Sequence, residues 1–194
     1  MLYGAGRRLS MVFYAYREIT LTVPPDRVRP LSHDEQINLS RDINIIYMNL
    51  RGTLDNFAWC FLYEKESSAI ASLSRTHIDL FANKFRELPC FVEIEQEISA
   101  HDNWNKELKT RRDPVVHRIP LYIPPSVIDH EDTERYRELV GEYAFEQLSN
   151  IGSFYLCFQH HPEDGVVPIY PTLPTDMAHL IRIGNTIERS LVAG

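Results

Sequence analysis

Cysteine is scarce in this chain of 194 residues, and what there is does not pair by pattern. Cys60, Cys90 and Cys157 are odd in number, far apart and free of any CxxC spacing. That argues against a disulfide framework and against a structural zinc site. Cys60 sits in FAWCFLY and Cys157 in FYLCFQ, the apolar settings of packed thiols rather than of nucleophiles. Long apolar runs are also missing. The longest, Phe57 to Tyr63, falls far short of the roughly 18 residues that span a bilayer, so no membrane partner is expected. The opening MLYGAGRRLSMVFYAYREIT mixes aromatics with Arg17 and Glu18 and lacks a signal-peptide core; the chain reads as cytoplasmic. GxGxxG, GxxxxGK and GxSxG are all absent, which removes the common nucleotide-loop and serine-hydrolase readings. Excess positive charge is lacking as well. A net charge of −7 argues against a protein that coats nucleic acid through a broad basic surface, although a local basic site is compatible with it.

What the chain does have is helical periodicity. Ser32 followed by Glu35 forms a capping box. Behind it Ile43, Ile46, Tyr47, Leu50, Leu54, Phe57, Ala58 and Phe61 trace one helix face to about Glu64, a rod of roughly 50 Å. Gly52 in mid-helix implies a close approach by a neighbour, since glycine there costs about 1 kcal/mol. A second helix is expected over 68–88, with His77 packed or at an interface. A third is expected over 92–111, with glutamates at its start and cations at its end. A fourth is expected over 132–159, and a last one capped by Thr175 or Asp176. Residues 11–23 alternate as a short strand or extended arm would, and RIPLYIPP (118–125) and VVPIYPTLP (166–174) read as extended. The expectation is one all-α domain over 1–194, a bundle of long antiparallel helices with a short β element near the termini. Within it, 1–31 forms the arm, 32–160 the bundle and 161–194 a proline-rich segment with the last helix.

Positive charge concentrates in one place. Lys106, Lys109, Arg111, Arg112 and Arg118 fall between residues 106 and 118, around RRDPVVHR. Arg112 and His117 are separated by four residues, and Asp113 follows the arginine directly. This pattern on a helical scaffold, together with NLRGTLDNFAW at residues 49–59, resembles the HEPN superfamily over about Ser32 to His160. The resemblance implies a metal-independent endoribonuclease of toxin or defence type with no cofactor. It also implies a homodimer whose two motifs share a cleft, and RNA and an antitoxin-like protein as partners. In that reading Arg112 holds phosphate, His117 does acid–base work near its ordinary pKa of ~6.5, and Asp113 orients it. Arg111, Arg118 and Lys109 guide the RNA backbone, and the helix-surface patch of Arg51, Asp55 and Asn56 lines the same cleft.

A structural account covers the same residues. Arg111 and Arg112 suit a helix C-terminus, Asp113–Pro114 suits a helical start, and Arg51–Asp55 is an i,i+4 pair of about 0.3 kcal/mol. The rival function is a non-catalytic binding or interaction module whose RIPLYIPP segment packs inside the protein or against a partner. The adjacent His160 and His161, followed by Glu163 and Asp164, lack the spacing of a metal motif, and no metal is expected.

Overall fold

The computed structural model describes residues 2–27, 31–117, 119–124, 127–128, 154–161 and 165–192. The fold is all-α with a very short β element. Its spine is α2 (His33–Lys65), bounded as the periodicity predicts. The Ser32 hydroxyl accepts the Glu35 N–H at 3.3 Å, and the Glu35 carboxylate accepts the Ser32 N–H at 2.8 Å. Arg27 grips the same carboxylate at 3.0 and 2.8 Å, a hydrogen bond that pulls the Glu35 pKa down to about 2. Leu39, Ile43, Ile46, Tyr47, Leu50, Leu54, Ala58 and Phe61 are buried along one stripe.

The expected N-terminal arm is instead a helix, α1 (Leu2–Thr22), lying antiparallel on α2. Val12, Ala15, Ile19 and Val23 are buried at steps of three and four, the period of a helix packed on one side. The strand-like alternation of Ile19, Leu21 and Val23 misleads because Leu21 is 64% exposed. β propensity is a weak prior that packing overrides. Gly52 makes room not for a helix backbone but for a side chain: a Cβ there would fall on the Arg8 guanidinium, which also donates to Asn49 Oδ1 at 3.3 Å.

The helix expected over 68–88 breaks into 3-10 turns at Ser67–Ala71 and Arg75–His77 and a single turn α3 (Asn83–Arg86). Serine hydroxyls here bond locally, Ser72 to the Ala69 carbonyl at 2.8 Å, and Asp79 accepts the Phe81 N–H at 3.0 Å, so side chains compete with helical bonding. His77 is exposed on its turn rather than packed. The next expected helix divides into a 3-10 turn at Pro89–Glu93, α4 (Glu95–Ser99) and α5 (Asp102–His117). Its end is also later than expected. α5 runs past Arg111 and through Pro114, which withholds only the N–H that would have bonded the Thr110 carbonyl.

Residues 119–124 are extended, as read from their prolines. Leu121 and Ile123 are buried, and side chains of α2 fix the segment. Asn44 donates to the Leu121 carbonyl at 2.6 Å and accepts its N–H at 2.9 Å, and Ser40 Oγ accepts the Ile123 N–H at 2.9 Å. Most of the helix expected over 132–159 lies outside the described residues. Its last part is not helical: β2 (Phe154–Tyr155) pairs antiparallel with β1 (Val127–Ile128), and β3 (Cys157–Phe158) with β4 (Val167–Pro168). Gln159 bridges to Tyr122.

The last helix, α6 (Ile169–Val192), starts before the expected cap, with a non-helical Tyr170 ahead of Pro171. Asp176 is therefore not a cap. It lies inside the helix on the buried face with Leu173, Met177, Leu180, Ile183 and Ile187. Cys60 and Cys157 are buried, and burial raises both thiols, as packed cysteines require. Among the described residues no helix is long and apolar enough to cross a membrane. Replacing Ser32 by alanine removes one arm of the capping box. Denaturant unfolding should then show a loss of about 1 kcal/mol with an unchanged m-value.

Candidate functional site

Two polar clusters lie on the sides of α5. The first joins α1, α2, the Asp79 turn and α5. Arg51 is buried at 7% exposure and donates to Asn105 Oδ1 at 3.0 Å and to Asp79, with Asp55 Oδ1 at 3.6 Å. The i,i+4 partner expected from sequence is thus the longest of its three contacts. Burial raises the Asp55 carboxyl above its ordinary pKa. Arg51 opposes that shift, Asp79 adds to it, and Arg112 and Arg8 also oppose it. Asp55 thereby reports that Arg51, Arg112 and Arg8 share one electrostatic neighbourhood. Asn56, one position on, lies against Gly4 of α1, and its Nδ2 is buried without a hydrogen-bond partner.

Arg112 enters this neighbourhood from the last turns of α5. Its Nη1 donates to Asp113 at 3.2 Å, and its Nε is buried with no partner. Asp113 therefore holds the arginine, whatever it does for a histidine. An unpartnered buried donor costs about 1–3 kcal/mol. Position 117 ends α5, five residues on, which is roughly 140° around the helix axis and about 7.5 Å along it. The His117 side chain and Arg118 lie outside the described residues. Lys109 is half-buried on the same helix. Arg111 points elsewhere, so sequence proximity does not make it a neighbour of Arg112.

The second cluster was not legible from motif spacing. Arg111 Nη1 donates to both oxygens of Asp176 at 3.0 Å, and its Nη2 to Glu107 at 3.0 Å. Asp176 is 1% exposed and also accepts from the Tyr47 hydroxyl and the Trp104 indole N–H, each at 2.8 Å. One carboxylate thus ties α2, α5 and α6 together, and burial with the Asp176 charge raises the Tyr47 hydroxyl well above its ordinary pKa. Beside it, the Trp104 ring stacks on His179 with centroids 4.9 Å apart, and His179 Nδ1 lies 2.6 Å from His101 Nδ1. One ring must donate and the other accept, so the contact holds a single proton between two nitrogens.

This histidine pair sits between two grooves of about 660 and 370 Å³, the first edged by Glu97, Arg182 and Arg189, the second by Glu107, Arg111 and Thr175. A third cavity of about 440 Å³ lies between Arg111, Pro114, Leu121 and His160. Among the described residues no group of three or more His, Cys, Asp or Glu side chains is placed to hold a metal. Comparison with family models, with curated proteins and with solved structures finds no match for this chain.

Two outcomes follow. Asp176→Ala strands the Arg111 charge and two buried donors, and should cost about 3–5 kcal/mol in denaturant unfolding, with Asp176→Asn losing less. Burial lowers both His101 and His179 below their ordinary pKa of 6.5. For His101, the cations of His179 and Arg182 add to burial against Asp102 and Glu97; for His179, Arg182 adds to it against Asp176 and Glu107. The unfolded chain then binds more protons between the folded and unfolded values. Stability should be full above pH ~6.5 and fall as pH drops below it, and His179→Gln should flatten that slope in a pH series of melts.

Proposed function

We propose that this protein is a metal-independent ribonuclease of the HEPN type, working in the cytoplasm as a homodimer. Arg112 is its phosphate-binding group and His117 its acid–base group. The observation that carries the reading is the Arg112 guanidinium, anchored on one side by Asp113, with a buried Nε that has no acceptor among the described residues. A phosphate oxygen is the acceptor an arginine fork suits best. Arg51 is already satisfied by two aspartates and Asn105, so it positions the cluster and does not grip substrate.

The chemistry needs no metal. Attack of a ribose 2′-hydroxyl on its own phosphate requires a base for that proton, an acid for the leaving 5′-oxygen, and a cation for the charge that builds on phosphorus. An imidazole and a guanidinium supply these. Because positions 112 and 117 lie on different sides of α5, a phosphodiester that meets both must cross the C-terminal end of the helix. Carbonyls at that end repel a phosphate, and Arg112 and Lys109 offset them. Arg111, taken up by Asp176 and Glu107, contributes its field only. An antitoxin-like protein partner would cover this helix end.

The test is labelled RNA incubated with the purified chain in EDTA. The wild type should cut and leave 2′,3′-cyclic phosphate ends. His117→Ala should lower the rate by roughly 10²–10⁴ and Arg112→Ala by about 10²–10³, each with an unchanged melting temperature. Cleavage that survives His117→Ala, or none by the wild type, rejects the nuclease and leaves a non-catalytic binding module.

A further inference from the structure

At one contact between α1 and α2 both helices depart from their own pattern. Ala5, Arg8, Val12, Ala15 and Ile19 follow one another at steps of three and four along the side of α1 that packs on α2. The other four are apolar and buried, and the exception is Arg8. Opposite it stands Gly52, in the interior of α2, where alanine would favour the helix more. The backbone there is ordinary helix and does not call for glycine. What the glycine provides is room. A Cβ at position 52 would overlap Nη1, Cζ and Nε of Arg8, so the guanidinium lies flush against α2.

A cation on a packed stripe thus meets a glycine inside a helix, and the chain gains little from the meeting. The one hydrogen bond that Arg8 makes among the described residues is long, Nη1 to Asn49 Oδ1 at 3.3 Å. Its Nε and Nη2 take no partner among them, and neither atom is sealed from solvent. The Arg8 charge reaches Asp55, as do those of Arg51 and Arg112. Of these three cations Arg51 is taken up by Asp79, Asn105 and Asp55, and Arg112 is anchored on Asp113, whereas most of the Arg8 fork stays open. The Asp55 carboxylate repels an anion, and Arg51 at 3.6 Å offsets it. Local rules are broken chiefly at functional sites, and a seated guanidinium with open N–H groups suits a phosphate oxygen. We propose that Arg8, seated on Gly52, is a second phosphate-binding residue of the site that holds Arg112, taking a neighbouring phosphate of the same RNA strand. Gly52 is then a positioning residue for Arg8. The proposal rests on the RNA-binding half of the function above and not on cleavage.

The experiment is fluorescence anisotropy of a labelled single-stranded RNA whose 2′-O-methyl groups block cleavage. It is titrated with the full chain across a salt series, and every variant is also melted. The wild type should bind. Arg8→Met keeps the apolar stem and removes the fork. It should weaken binding roughly tenfold at low salt and make the slope of log K against log salt shallower by about 0.7, the share of one phosphate on a single strand. Gly52→Ala should do the same while melting no lower than the wild type, since alanine favours the helix and only the end of a flexible side chain has to move. Arg8→Met combined with Gly52→Ala should bind no more weakly than Arg8→Met alone. Arg7→Gln, which removes an exposed charge one position away, should leave the slope unchanged. A wild type that binds no RNA overturns this proposal and the nuclease together. Binding whose slope ignores Arg8→Met and Gly52→Ala overturns this proposal alone, and so does a Gly52→Ala chain that melts lower yet binds normally. A wild type that shows the expected dependence on Arg8 but leaves unmodified RNA uncut rejects the nuclease and upholds this proposal.

Discussion

Three helices of this protein meet on one carboxylate. Asp176 brings α6 onto the phenol of α2 and onto the indole and guanidinium of α5, and it does so with almost no access to water. A buried charge is tolerated only where it is paired and hydrogen-bonded, and here three donors and one cation meet that demand together. The constraint is directional. Tyr47, Trp104 and Arg111 must all point at one place, so the helices that carry them have little freedom to rotate or slide. Hydrophobic burial of Leu180 and Ile183 drives α6 onto the core, and the carboxylate on the same face adds a constraint of direction to it.

Arg111 and Arg112 show what this selection does to the basic segment. The two are adjacent in sequence and appear equivalent as cations, yet α5 turns by about 100° between them. One faces Asp176 and is consumed in holding the fold. The other faces the Asp55 neighbourhood and keeps a free N–H. Where a helix carries consecutive arginines, its rotational setting decides which is structural and which is available, and the residue that fixes the setting here comes from a helix 65 positions further along the chain.

That division explains what could be read from sequence. α2 was legible from end to end because its signals are local: a capping box, an apolar stripe, no proline. α1 was misread because its residues favour strands intrinsically, and only a partner surface reveals that Val12, Ala15 and Ile19 form a face. The break-up of 68–88 depended on serines and Asp79 bonding nearby backbone, a competition that periodicity does not register. α5 outruns its expected end at Arg111 because Pro114, near the end of a helix, removes a single bond. Of the site, the cluster around Arg51 and Asp55 announced itself as a polar interruption of an apolar stripe. The cluster of His101, Trp104, His179 and Asp176 gave no such sign, because its members come from segments separated by more than seventy residues. Histidines and a tryptophan on amphipathic faces look like ordinary core. The one available hint was an aspartate on the apolar side of the last helix.

The attachment of residues 119–124 has a corollary for how this region can vary. An extended segment ordinarily takes its alignment from the ladder of a neighbouring strand. Here the ladder is a single pair, Tyr122 with Gln159, and a helix supplies the rest of the alignment through two side chains: the amide of Asn44 offers Leu121 the same donor–acceptor pair that an adjacent strand would, and Ser40 accepts from Ile123. Much of the information that places the segment therefore resides in α2. The segment's outward positions are left open to substitution, whereas exchanging Asn44 for an isosteric acid would turn one of the two complementary contacts into oxygen facing oxygen and untether a stretch of chain 77 residues away.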